Sequence, residues 1–300
     1  MLPSRLNGSL PSAWRAGVML ALALLVPAQL KADSPPRAAR AAAAPAPLPA
    51  QLPVPSYADL TDLADAAPLV VRAQVRKAAE VEAARAPGLR PGWARLYIEA
   101  RTEAVLGGRT ALGEAIRYLV DVPRDAKGKP PKLGKRSVVI FARPVAARPG
   151  ELQLVAPDAQ ILWDPMLEER VKGILAELYA PGAPLRVTGV REAIHVAGEL
   201  AGEGETQFFL ATAAGEPAAI TVTRSAGAPP RWTVSFSEVV ETDAPPPQRE
   251  SLTWYRLACF LPPLLPGGAN VSGSPAERQA AGRDYRFVLD QLGPCERVRR

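Results

Sequence analysis

Between Arg95 and Arg101 the chain alternates strictly: Arg95, Tyr97, Glu99 and Arg101 fall on one side, Leu96, Ile98 and Ala100 on the other. A period of two marks a strand with one wet and one dry face. Runs at 69–75, 93–105, 115–122, 137–142 and 152–156, separated by glycine, proline and charge, predict five strands. Ahead of them, residues 57–66 place Leu60, Leu63 and Ala64 at helical spacing and stop short of Pro68. That pattern predicts a short, exposed acidic helix.

The period then changes. Asp164 before Pro165 suits an N-cap and a first helical turn, and Leu167, Val171, Ile174, Leu175 and Leu178 form one stripe. A helix is expected through Tyr179, ended by Pro181-Gly182. Strand-like runs return at 185–194, 206–212, 219–224 and 232–240, with turn residues at Gly202-Glu203-Gly204, Gly215-Glu216-Pro217 and Pro229-Pro230. They fit a four-stranded meander. Pro245-Pro246-Pro247 interrupts the chain, and Ser274-Pro275-Ala276-Glu277 opens a last helix to Leu292. The expected fold class is mainly β with minor α. It comprises a small OB-like barrel over 56–164, a connecting helix over 165–182, an antiparallel β region over 183–244 and a carboxy-terminal helical segment over 245–300.

One resemblance rests on strand order. The acidic helix, Val70-Val71-Arg72-Ala73-Gln74-Val75, the long polar strand, the Leu106-Gly107-Gly108 turn, a further strand, a basic hairpin and Val138-Val139-Ile140-Phe141 follow one another over 56–162. This order resembles the OB-type barrels of exported bacterial proteins, including those similar to the netrin and tissue-inhibitor-of-metalloprotease modules. The resemblance implies a small barrel. Those inhibitors place an amino-terminal cysteine on the target's zinc, and this chain has no cysteine there. Neither the activity nor any functional residue carries over.

The amino terminus adds a location. Arg5 and Arg15, an apolar run of 11 residues from Ala16 to Val26, and Val26-Pro27-Ala28 have the three-part form of an export signal cut after Ala28. A bilayer-spanning helix needs about 20 apolar residues, so the run suits a cleavable signal better than an anchor. Lipid attachment would need a cysteine at the cleavage site, and the first cysteine is Cys259. No later segment predicts a membrane span; 257–265 is short and broken by Pro262 and Pro263. The expected location is periplasmic or secreted. Residues 29–55, Ala and Pro with scattered Arg, read as a stiffened linker.

Removing residues 1–28 lowers the formal charge from +6 to +4, with 34 basic residues against 30 acidic. A nucleic-acid binder would show a stronger excess, and export argues against that role. Cys259 and Cys295 are an even pair in an oxidising compartment, most simply one disulfide clamping the last helix against 254–257; two unrelated buried thiols are the other reading. Such a loop closure contributes roughly 3–4 kcal/mol in the chain-entropy model.

Catalytic chemistry is scarce in the pattern. His195 is the only histidine, so a site built on several imidazoles is excluded, and a packed or surface strand position is the simpler reading. No Gly-x-Ser-x-Gly elbow occurs. Gly128 to Ser137 looks like a phosphate loop, but five residues separate its glycines instead of four, Arg136 follows Lys135, and Pro130 and Pro131 lack the amides that would cradle phosphate. Glu168 with Glu169, Glu203 with Glu205, and Glu238, Glu241 and Asp243 have no spacing that fixes an acid and a base, and Glu168 with Lys172 reads as an i,i+4 surface pair. No catalytic, cofactor or metal residue is assigned.

One charge cluster stands out. Arg124, Lys127, Lys129, Lys132, Lys135 and Arg136 face a single acid, Asp125, in a loop between two expected strands. It reads either as an anion-binding loop for phosphate-bearing lipid or another polyanion, or as a solvated loop that discourages sheet-edge pairing. The overall expectation is a non-catalytic exported binding or envelope-associated scaffold protein. Its partner would be a protein or envelope component, with weak contact to anionic membrane and no nucleic acid. A carboxylate-based hydrolase of envelope polymer and an inhibitor of an exported enzyme are the alternatives.

Overall fold

Ser56 opens the first helix, α1 (Tyr57–Ala66), through a reciprocal cap. Its hydroxyl accepts from the Asp59 amide at 3.1 Å while the Asp59 carboxylate accepts from the Ser56 amide at 2.9 Å. The structure, a computed structural model, describes residues 54–236 and 245–299. The expected export signal, most of the linker and residues 237–244 lie outside the described residues.

After α1 come β1 (Leu69–Glu80), β2 (Trp93–Gly107), β3 (Ala115–Pro123), β4 (Ser137–Pro144), β5 (Leu152–Leu154) and β6 (Gln160–Leu162). They form one antiparallel sheet in the order β3-β2-β1-β4-β5, with β6 also paired to β4. The five expected strands are present with β6 added, but the expected barrel does not close. Its two ends, β3 and β5, meet at one parallel bridge between Arg117 and Glu151, where the Arg117 amide donates to the Gly150 carbonyl at 2.8 Å. The three residues of β5 pair with β4 along their whole length, and backbone pairing with β3 is limited to that bridge. Gly108 after β2 is obligatory. Its φ is +111°, and a Cβ there would sit 2.5 Å from the Pro68 carbonyl oxygen.

Helix α2 (Pro165–Leu178) begins as its sequence signals, with the Leu167 amide donating to the Asp164 carboxylate at 2.9 Å. It buries Leu167, Val171, Ile174 and Leu175 on the stripe that the periodicity marks. The second sheet is the expected meander, β7 (Val187–Ala197), β8 (Gly204–Thr212), β9 (Ala218–Arg224) and β10 (Arg231–Ser235), in order β10-β9-β8-β7. Between this sheet and the carboxy terminus lie α3 (Leu252–Ala258), which periodicity did not reveal, and α4 (Pro275–Leu292). Seven residues are too few for a helical period to register. Trp254, Tyr255 and Leu257 of α3 are nonetheless buried.

Buried apolar side chains of both sheets and all four helices belong to one core cluster. Cys259 and Cys295 are joined by a disulfide, closing the chain over α4. Helix α1 departs from expectation: it is not exposed, since seven of its ten residues are buried. Its apolar side chains pack against α2, α3 and β4, and the carboxy-terminal segment lies along its acids. Directly after Cys295 the chain turns along α1 as a strap, with the Ser56 hydroxyl donating to the Glu296 carbonyl at 2.7 Å. The Val298 and Arg299 amides donate to the Asp59 carboxylate at 3.0 and 3.2 Å. Arg297 binds the Asp62 carboxylate at 2.6 Å, and Arg256 from α3 holds Asp65 through two hydrogen bonds of 2.8 and 2.9 Å.

Candidate anion-binding surface

The β3–β4 connection is basic, exposed and well anchored. At its start the Asp125 carboxylate accepts from the Lys127 and Lys129 amides at 2.9 and 2.8 Å, and the Gly128 amide donates to the Asp125 carbonyl, which folds 125–129 into a tight turn. Arg124 braces that turn. Its guanidinium donates to the Trp93 and Gly128 carbonyls at 3.2 and 2.9 Å and pairs with Glu80. Further along, Leu133 is buried in the core at 5 % exposure. The Lys135 amide donates to the Val75 carbonyl at 2.8 Å, and the Val75 amide donates to the Arg136 carbonyl at 2.9 Å, tying the loop's end to β1.

Six cations were expected here, and they fall into two groups. Arg124 is half-buried and engaged within the loop, whereas Lys127, Lys129, Lys132, Lys135 and Arg136 are exposed. Among the described residues none of these five forms an ion pair. A sixth free cation, Arg76, is exposed on β1 next to Val75. The strand expected over 69–75 stopped one residue short of it, so the pattern gave no reason to group it with the loop. A polyanion approaching this surface meets positive charge without first breaking a salt bridge.

The carboxylates are engaged elsewhere. Glu168 is not a surface residue: its side chain is 9 % exposed, and it accepts from Lys172 at 2.9 Å, Trp163 at 2.5 Å and Arg72 at 2.7 Å. Burial works against its ionisation. The hydrogen bonds from Lys172, Trp163 and Arg72, with the charge on Arg72, outweigh that and hold its pKa down to about 2. Such a group is a permanent anion at neutral pH, a poor general acid or base. Glu169 is exposed and pairs with the same Lys172 at 3.1 Å. Glu203 sits under the β7–β8 turn with its carboxylate on the Leu200 and Ala226 amides, and Glu205 accepts from Gln207 at 2.7 Å. Glu238, Glu241 and Asp243 lie outside the described residues. Among the described residues no group of three or more potential ligands could hold a metal ion.

His195 has partners the sequence did not place. Its Nδ1 lies 2.7 Å from the Thr206 hydroxyl, which donates to Asp284 of α4, and Asp284 also accepts from Arg224 at 2.6 Å. These residues are scattered from 195 to 284, and only the docking of α4 on the second sheet brings them together. A hydroxyl, an imidazole and a carboxylate in contact invite a catalytic reading. Thr206 is fully buried and Asp284 nearly so, while a Cβ at Gly204 would touch the imidazole Nε2 at 2.9 Å. The network joins α4 to the second sheet, away from solvent.

A shallow groove of about 340 Å³ runs along Ala64 to Pro68, Leu178, Tyr179 and Arg256. Arg256 is fully engaged there, by Asp65 and by the Pro184 carbonyl at 3.1 Å. The basic surface is a dense cluster of exposed charge without ion pairs among the described residues. No protein-family model matches the chain, and no curated protein matches it.

Proposed function

We propose that this chain is an exported, non-catalytic binding protein that attaches to an anionic envelope surface through the β3–β4 loop. The observation that carries the reading is the row of five exposed cations, Lys127, Lys129, Lys132, Lys135 and Arg136, with no ion pair among the described residues. Each cation near an anionic membrane contributes about 1 kcal/mol, so several acting together give weak, reversible attachment. Export through a signal cut after Ala28, a periplasmic or secreted location and a proline-rich spacer over 29–55 complete the reading. The disulfide is compatible with it, as is the lack of a helix long and apolar enough to cross a membrane among the described residues.

The test is electrostatic. Purified protein should sediment with vesicles of phosphatidylglycerol and phosphatidylcholine, stay in solution with phosphatidylcholine alone, and leave the anionic vesicles as screening shortens from about 10 Å at 0.1 M salt to about 3 Å at 1 M. Equal binding to both vesicle types, or binding indifferent to salt, contradicts the proposal.

A further inference from the structure

Two backbone irregularities meet at the end of the basic loop, and each carries a cation. The pairing of β1 with β2 shifts register between Val75 and Lys77, which leaves Arg76 on a β-bulge. A bulge turns a side chain away from the direction that regular pleating would give it. Directly across, the Arg136 amide donates to the Leu133 carbonyl at 2.9 Å and closes a four-residue turn whose third residue is Lys135, at φ +66°. That position favours glycine, because the left-handed conformation costs an ordinary residue about 1–2 kcal/mol. A glycine is available one place earlier, at Gly134, yet lysine occupies the strained place.

The two irregularities are locked together. The Lys135 amide donates to the Val75 carbonyl and the Val75 amide donates to the Arg136 carbonyl, so Arg76, Lys135 and Arg136 leave the backbone within one hydrogen-bonded unit. All three side chains are exposed and form no ion pair among the described residues. Among the described residues the Lys135 side chain at φ +66° has no hydrogen bond or ion pair to the rest of the protein.

We infer that Arg76, Lys135 and Arg136 form a focal site for a phosphate-bearing lipid headgroup, with Lys127, Lys129 and Lys132 acting only as a diffuse electrostatic fringe. This rests on the surface-binding reading above and assigns it a centre. A lipid surface suits the trio better than a free phosphate ion. Around a free ion, buried amide donors would form a cradle, whereas here the amides of Lys135 and Arg136 are already donated within the protein.

The experiment compares two triple variants of equal charge. Arg76→Gln/Lys135→Gln/Arg136→Gln should weaken binding to phosphatidylglycerol vesicles by about tenfold or more, and Lys127→Gln/Lys129→Gln/Lys132→Gln by only about threefold. Equal losses would mean that binding follows net charge alone; the focal site is then wrong and the surface-binding reading stands. If the wild type does not bind these vesicles, both fall. A third variant, Lys135→Gly, separates strain from contact: relieving the left-handed residue should raise Tm by about 2 °C while weakening vesicle binding. A higher Tm with undiminished binding would show that the lysine side chain touches no ligand and would overturn the proposal. Millimolar inorganic phosphate should not displace the vesicles; displacement would identify a free-phosphate site instead and would equally overturn the lipid assignment.

Discussion

The α1 helix with its carboxy-terminal strap and the β3–β4 loop are both dense in charge, and they use it in opposite ways. Along α1 the acids recur at 59, 62 and 65, and each meets a donor brought from more than 190 residues away: the strap amides on Asp59, Arg297 on Asp62, Arg256 on Asp65. In the loop the backbone is equally well tied, but the side chains of Lys127, Lys129, Lys132, Lys135 and Arg136 face solvent without partners among the described residues. In the first region charge is paired within the fold; in the second it stands on a fixed frame without ion pairs among the described residues. Substitutions should therefore affect stability in the first region and binding in the second.

The largest expected effect is on the strap. Replacing both cysteines, Cys259→Ser/Cys295→Ser, should lower stability by about 3–4 kcal/mol, and hydrogen exchange should quicken at the Val298 and Arg299 amides before it changes in the sheets. A urea midpoint unmoved by the double substitution would show that the strap adds nothing to the fold. Next comes Arg256→Ala, which strips Asp65 of both hydrogen bonds. A fully buried pair broken this way costs about 3–5 kcal/mol. Because the Asp65 side chain is 26 % exposed, about 2–3 kcal/mol is expected here once solvent screening is allowed for.

A smaller effect depends on pH. The folded-state pKa of Glu168, about 2, lies below its ordinary value of 4.5, so its contribution is fully present above pH 4.5 and is lost as pH falls toward 2. Asp65 is shifted in the same direction by its hydrogen bonds to Arg256. Wild-type stability should fall steeply in that acid window, and Glu168→Gln should flatten the slope there while leaving the pH dependence above about pH 6 as in the wild type, since ordinary carboxylate pKa values lie at about 4. A variant whose acid unfolding curve overlays that of the wild type would contradict the assignment.

Much of this was legible locally. Caps and periodicity mark α2 and α4 to within a residue, because Asp164-Pro165 and Ser274-Pro275 are signals contained in two adjacent positions. The second sheet and five strands of the first follow from alternation and turn residues, whereas the pattern does not mark the three-residue β6, and the even cysteine count points to the disulfide. What stayed hidden is long-range. The capping of the α1 acids depends on a strap more than 230 residues later, and the Glu168 cluster depends on Arg72 crossing from the first sheet. The barrel was expected closed because strand order is readable, whereas the length of β5, three residues, is decided by how far it can pair with β4. In the candidate site the lysines were visible as a run; Arg76 was not, because a bulge is a property of two strands in register.

The division between paired and unpaired charge is tested most directly by measuring Tm and anionic-vesicle binding on the same two variants. Lys127→Gln/Lys129→Gln/Lys132→Gln/Lys135→Gln should lose vesicle binding by about tenfold or more with Tm within about 1 °C of wild type. Arg297→Gln/Arg299→Gln, which breaks the pairs to Asp62 and Asp158, should lower stability by about 1–2 kcal/mol and leave vesicle binding intact. A loop variant that melts earlier yet binds like wild type, beside a strap variant that binds less at unchanged Tm, would contradict the account.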